Sequence, residues 1–208
     1  MKLAISGKMA SGKDTAADYL VSQYKFIKTP FAKGLKMIAM NEFKCTYEEV
    51  YQTKPDHVRK ALQLIGRAGT TYDSLVWVNR TLEDIRGLEI MYKKNDFVVS
   101  DLRFKVEAEK LKEEGFTLIR VERDVKLRSL IGISNTDDIS ETDLDDYKLF
   151  DYVIDNNGTL DELHDKLDNI ITGLENEKSG KDSQTVTNKT DDTNDKRPPE
   201  HSNQVQTT

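Results

Sequence analysis

A single cysteine, Cys45, is all the thiol the chain carries, which excludes an internal disulfide framework and any thiol-only metal site within one chain. It reads as a small, reduced core residue. The three histidines, His57, His164 and His201, are scattered without metal-ligand spacing and take no role. No apolar run approaches the length of a membrane span and no signal-peptide pattern is present, so the expected location is the cytoplasm, with no membrane partner. An excess of one charge is missing too. The net charge of −6 is spread as mixed signs, which argues against a dedicated nucleic-acid surface. No internal repeat is visible.

The last stretch lacks aromatic residues altogether, and two valines are its only large apolar side chains. From 175 to 208 it is rich in Ser, Thr, Asn, Asp and Lys, too polar to offset its ordering entropy, and is expected to be a disordered polar tail. That leaves residues 1–174 as one domain with a full hydrophobic core.

What is present is organised around Gly7-Lys8-Met9-Ala10-Ser11-Gly12-Lys13-Asp14, which follows the apolar run Leu3-Ala4-Ile5 and opens a helical pattern. It fits the first seven positions of GxxxxGK[ST] and departs at the eighth. The glycines let the backbone fold back so that consecutive N–H groups point at phosphate oxygens, and Lys13 reaches the β and γ phosphates. The helix N-terminus adds its positive end at the same spot. Asp14, followed by Thr15, stands where a hydroxyl normally touches Mg²⁺. It binds the metal directly or through water, or it only caps the helix.

Further along, Phe26 to Phe31 reads as a short strand, Leu35, Ile38 and Ala39 as a helix, and Thr46-Tyr47-Glu48-Glu49 as a capping box. From Asp56, the residues Val58, Ala61, Leu62 and Ile65 form an apolar stripe, while Arg59, Gln63 and Arg67 share another side of the same helix. These three are either a solvated face or a phosphate-binding one. Asp73 to Met91 reads as one long helix, with Trp77 and Tyr72 as core aromatics or base-stacking platforms. The strand Phe97-Val98-Val99-Ser100 ends in Asp101-Leu102-Arg103-Phe104. A carboxylate there suits Mg²⁺ and its waters, and Arg103 a phosphate; a mutual salt bridge or helix cap is the other reading. A strand over Phe116 to Val121 leads into a segment with Arg123, Lys126 and Arg128, either a closing lid or an exposed helix. Tyr152-Val153-Ile154 is the last strand, and Leu160, Leu163, Leu167, Ile170, Ile171 and Leu174 form the apolar face of the last helix.

Strands alternating with helices give an α/β fold with a five-stranded, mostly parallel sheet whose ligands sit at the carboxyl ends of the strands. Several blocks then carry a resemblance: Gly7 to Leu20, Leu62-Gln63-Leu64-Ile65-Gly66 with Trp77-Val78-Asn79, Val99 to Phe104 with Glu107-Ala108, and Leu118-Ile119-Arg120-Val121 with Arg123. Over residues 1–174 the chain resembles the deoxynucleoside monophosphate kinases of tailed bacteriophages. The resemblance implies a P-loop NTPase three-layer α/β/α fold of the nucleoside monophosphate kinase type, with a helical acceptor-binding region at about 31–93 and a lid at about 123–147. It implies transfer of the γ-phosphoryl of ATP to a deoxynucleoside monophosphate, with Mg²⁺, in the host cytoplasm if a phage encodes it. Its Lys-Asp loop ending matches Lys13-Asp14, and Asp138-Ile139-Ser140-Glu141 matches a Ser-Glu signature in part, without the His two residues before the Ser.

On that basis Gly7, Lys8, Met9, Ala10, Ser11, Gly12, Lys13, Asp14 and Thr15 hold the donor, and Asp14 and Asp101 position the metal. Lys13, Arg123 and Arg128 act on the transferring group. Arg59, Arg67 and Arg103 hold the acceptor phosphate, with Gln63 near its base and Trp77 among the substrate-binding residues. The protein is expected to be a monomer or homodimer acting on small nucleotides. Kinases of phosphomevalonate or dephospho-coenzyme A, and a non-catalytic ATP-binding regulator, are the alternatives.

Overall fold

A computed structural model describes residues 1–129 and 139–187 of the chain. Two compact units divide it, Met1–Asp168 and the stretch from Asn169 onward. Within the first unit, five strands form one sheet in the order β2-β3-β1-β4-β5, every neighbouring pair parallel. They are β1 (Lys2–Ser6), β2 (Ile27–Lys28), β3 (Phe97–Leu102), β4 (Thr117–Glu122) and β5 (Tyr152–Asp155). Parallel strands need long crossovers, and helices supply them: α1 (Lys13–Tyr24) after β1, then α2 (Ala32–Glu42), α3 (Asp56–Tyr72) and α4 (Val76–Tyr92) between β2 and β3, and α5 (Lys105–Glu113) between β3 and β4. The short α6 (Val125–Ser129) and α7 (Ile139–Thr142) follow β4, and α8 (Leu160–Thr187) follows β5. The α/β class and the five-stranded sheet are as the sequence suggested, and the sheet is parallel throughout.

Strand β1 sits in the middle, and its Leu3, Ala4 and Ile5 are fully buried, as a strand covered on both faces must be. Leu3 and Ile5 each contribute about 2 kcal/mol by leaving water. Its register against β3 shifts between Ala4 and Ser6, just before the chain enters the glycine loop. The chain leaves β1 towards β2 and leaves β4 towards β5, in opposite directions along the sheet. That divergence opens a crevice at the carboxyl ends of β1 and β4.

The second strand is shorter than the apolar run suggested. Thr29 N still donates to Val98 O, but Pro30 has no N–H, and the next two amides turn to the Asp101 carboxylate instead. Helix α4 starts at Val76 rather than Asp73 because the Asp73 side chain accepts from Leu75 N, a local bond that competes with the helix. Around β3, the side chains of Val78, Leu82, Ile85, Leu111 and Leu118 close one core. Val58, Ala39 and Val50 centre a second one, with Leu62 and Ile65 packed on it.

The expected tail from 175 begins instead as helix, since α8 continues to Thr187. Glu175, Glu177, Lys178 and Lys181 are good helix formers and need no apolar stripe to extend a helix already started. Residues 188–208 of that tail, and 130–138 of the expected lid, lie outside the described residues. Among the described residues no helix is long and apolar enough to cross a membrane.

Candidate functional site

The glycine loop joins β1 to α1, and both glycines are demanded by shape. A Cβ on Gly7 would meet Ser11 Oγ and come within 2.6 Å of Val121 O. Gly12 takes φ +100°, where a side chain is strained, and a Cβ there would strike Asn156 Nδ2. Ser11 N donates to Lys8 O at 3.0 Å and Ala16 N to Gly12 O at 2.9 Å, so the loop closes on itself and passes directly into α1. Asn156, just beyond β5, donates from Nδ2 to Ser11 O at 2.8 Å and anchors the loop from the far side of the crevice.

Lys13 occupies the first turn of α1 and is only 7 % exposed. Among the described residues its one ion pair is with Asp14, 3.7 Å away. A buried ammonium needs an anion, and an exposed carboxylate beyond hydrogen-bond reach is a poor one. Asp14 and Thr15 are exposed at the same helix end, and Asp14 also lies 3.9 Å from Lys28.

Asp101, at the carboxyl end of β3, is committed to structure. Its two oxygens accept from Phe31 N at 2.8 Å and Ala32 N at 2.9 Å, holding the N-terminus of α2. Burial pushes its carboxyl up, while those two N–H groups and Arg103 pull it down. Next to it, Glu107 accepts from Arg103 N and Phe104 N and starts α5; burial pushes it up to about 7 against the same two N–H groups. Arg103 reaches across to Glu141, with Nη1 to Oε1 at 2.8 Å.

Beside the glycine loop, at the ends of β4 and β5, lies a cleft of about 310 Å³ of mixed charge, in which Lys8, Arg123 and Arg128 face Asp124, Asp145 and Asp155. Arg128 is buried and donates from Nε to Arg123 O at 3.1 Å. Arg123 Nε and Arg128 Nη1 are buried with no hydrogen-bond partner among the described residues. Guanidinium donors are seldom left so, and these two border a cleft beside the glycine loop.

The helices after β2 bring a different set together. Arg59, Gln63 and Arg67 lie on the exposed side of α3, and none of them lines the cleft beside the loop. Trp77 donates from Nε1 to Gly66 O at 3.1 Å, and its ring fills the space beside Gly69, so it pins α4 to α3. The sequence reading missed Lys36, whose ammonium sits 4.2 Å from the centre of the Tyr51 ring. Partial burial and the neighbouring Lys54 push Lys36 down, against Asp101. It also missed Asn156 and the contacts of Glu141, which belong to side chains far apart in sequence. Among the described residues no group of three or more His, Cys, Asp or Glu side chains could hold a metal ion. Mg²⁺ binds through one or two carboxylates and keeps much of its water, and the exposed Asp14 has room for such a contact.

No family model matches the chain. Over 186 residues it is 30 % identical to the "Putative deoxynucleotide monophosphate kinase" of Acanthamoeba polyphaga mimivirus, covering 79 % of this chain and 93 % of that protein. It is also 30 % identical over 146 residues to "Uncharacterized protein ORF76" of Ictalurid herpesvirus 1, covering 70 % of this chain and 56 % of that one. Among solved structures, shikimate kinase from Aquifex aeolicus is similar at a TM-score of 0.45 and 16 % identity, over 86 % of this chain and 99 % of that chain.

Proposed function

The chain belongs to the family of the mimivirus "Putative deoxynucleotide monophosphate kinase", and from that premise we propose that it is an ATP-dependent kinase of deoxynucleoside monophosphates. The observation that carries the reading is Lys13, buried where the glycine loop enters α1, with no carboxylate nearer than 3.7 Å among the described residues. Such a residue is completed by a bound phosphate.

In this reading the backbone amides of Ala10, Gly12 and Lys13, with Thr15, cradle the donor phosphates, since those of Met9 and Ser11 are taken by Glu141 and Lys8, and the cleft beside Ser11 takes the rest of ATP. An oxygen of the acceptor phosphate attacks the γ-phosphorus in line as the bond to the bridging oxygen of the departing ADP breaks. The acceptor is already an anion at neutral pH, so no general base is required; positioning and charge neutralisation do the catalysis. Lys13 neutralises charge on the transferring group. The unpartnered N–H groups of Arg123 and Arg128 suit developing charge at the donor side, and Arg103 holds the acceptor phosphate. Mg²⁺ would neutralise charge on the β and γ oxygens, held by Asp14 directly or through water. Asp101 contributes by holding α2 rather than as a free ligand. Arg59, Gln63 and Arg67 take part where α3 is brought towards the acceptor, with Trp77 as the strut behind them.

A panel of all deoxynucleoside and ribonucleoside monophosphates, with phosphomevalonate and dephospho-coenzyme A as controls, tests this through ADP release with ATP and Mg²⁺. ADP formation that depends on a deoxynucleoside monophosphate and vanishes in Lys13→Ala is expected. Preference for a control acceptor overturns the substrate assignment; ATP binding without acceptor-dependent ADP points to a regulator instead.

A further inference from the structure

Carboxylates tie the segment from α7 to β5 to the phosphate loop, to β4 and to the head of α5. Asp145 Oδ2 takes the Lys8 ammonium at 2.6 Å and Asp145 Oδ1 takes Arg120 Nη2 at 3.1 Å. Asp143 accepts from Lys105 N at 2.7 Å, and Asp146 pairs with Lys105 Nζ at 2.7 Å. Asp143 and Asp145 are partly or wholly exposed, and exposed pairs hold little energy.

Glu141 differs. It is 7 % exposed, and its two oxygens serve two parts of the site. Oε2 accepts from Met9 N, in the first half of the glycine loop, at 2.6 Å; Oε1 accepts from Arg103 Nη1 at 2.8 Å. The hydration a buried carboxylate loses is offset only when its oxygens are engaged, and charge-assisted bonds of this length are the stronger kind. One rigid group therefore fixes the distance between the loop that carries the donor and the guanidinium that faces the acceptor. Its bond in the loop is to the Met9 amide, which leaves the amides of Gly12 and Lys13 to the donor phosphates.

We propose that Glu141 is a positioning residue for phosphoryl transfer: it holds the Arg103 guanidinium and the Met9 amide in register, so that acceptor phosphate and donor γ-phosphoryl meet in line. This rests on the kinase reading above and goes beyond it, since the Ser-Glu signature containing Glu141 has no role in that reading. In-line transfer is sensitive to misplacement on the scale of 1 Å, so loosening this link strikes the transfer and the acceptor while leaving donor binding alone.

The test is steady-state kinetics on the full chain, with the best acceptor of the panel, for wild type, Glu141→Gln, Glu141→Ala, Arg103→Ala and the double variant Glu141→Ala/Arg103→Ala. Thermal melts establish that each is folded at the assay temperature. Glu141→Ala is expected to lower kcat/KM for the acceptor about 10- to 100-fold, with acceptor KM raised and ATP KM within about threefold of wild type. Glu141→Gln keeps an oxygen for the Met9 amide and loses the charge on Arg103, so it falls between the two. The double variant is expected to be no worse than Arg103→Ala alone, because Glu141 acts through Arg103. Additive losses overturn the proposal, as does an equal fall in kcat with both KM values unchanged, which is what a smaller folded fraction gives. If Glu141→Ala does not fold, the Glu141→Gln values decide by the same signs. A wild type without acceptor-dependent ADP overturns the kinase reading, and this inference with it; an active wild type with unaffected Glu141 variants overturns this inference alone.

Discussion

Asn156 donates from its buried amide to the carbonyl of Ser11 at 2.8 Å, tying the end of β5 to the middle of the phosphate loop. A Cβ on Gly12 would strike the same amide, so Asn156 packs directly on the left-handed turn of the loop. Asn156→Ala should therefore relax the loop and leave Ser11 O without this donor. The expected loss is about 1–3 kcal/mol of stability, read by urea denaturation, with ATP binding weakened several-fold. Asn156→Asp should do worse, because a carboxylate facing a carbonyl has no proton to donate. Unchanged ATP affinity in both variants would remove Asn156 from the site.

Glu107 gives the protein a dependence on pH. Burial raises its folded value to about 7, against about 4.5 in the unfolded chain, so between those values the folded state binds more protons than the unfolded one. Stability from this group therefore falls as pH rises from about 4.5 to 7, by at most about 3 kcal/mol, and is flat above. Glu107→Gln keeps an oxygen for the amides of Arg103 and Phe104 without the buried charge. Denaturation at pH 5, 6, 7 and 8 should show a smaller fall for the variant, and greater stability than wild type at pH 8. A parallel pH profile in the two proteins would show that Glu107 is not the source.

Much of this was written locally in the chain. The run Leu3-Ala4-Ile5 and the glycine spacing together specify a buried strand, a tight loop and a helix start, all within about a dozen residues of one another. The stripes of α3 and α4 followed from helical periodicity, and Val58, Val78, Leu82 and Ile85 are buried as that period requires. What stayed hidden depends on partners far away along the chain. Asp101 looks like a free rim carboxylate in sequence, yet Phe31 and Ala32, seventy residues earlier, take both its oxygens. Trp77 reads as a core ring or a stacking platform until Gly66 and Gly69 are brought beneath it. Periodicity also overreached at the start of α8, where Leu160 is 54 % exposed because it precedes the turns that pack. Hydrophobic period reports which face is covered, but carries no information about which carboxylate meets which amide.

The separate duties of Asp14 and Asp101 give opposite signatures in magnesium titrations. Asp14 is exposed at the head of α1, and among the described residues its contacts are ion pairs of 3.7 and 3.9 Å with Lys13 and Lys28. Asp14→Ala should stay as stable as wild type and raise the Mg²⁺ concentration for half-maximal activity on the order of tenfold, with Asp14→Ser intermediate. Asp101 has one oxygen on each of two amides, and Asn offers only one oxygen and turns an NH₂ towards the other N–H. Asp101→Asn should therefore cost about 1–3 kcal/mol of stability by loosening α2, while the folded fraction keeps a Mg²⁺ requirement close to wild type. If instead Asp101→Asn shifts the Mg²⁺ titration and Asp14→Ala does not, the metal sits at the end of β3 and the division of labour drawn here is reversed.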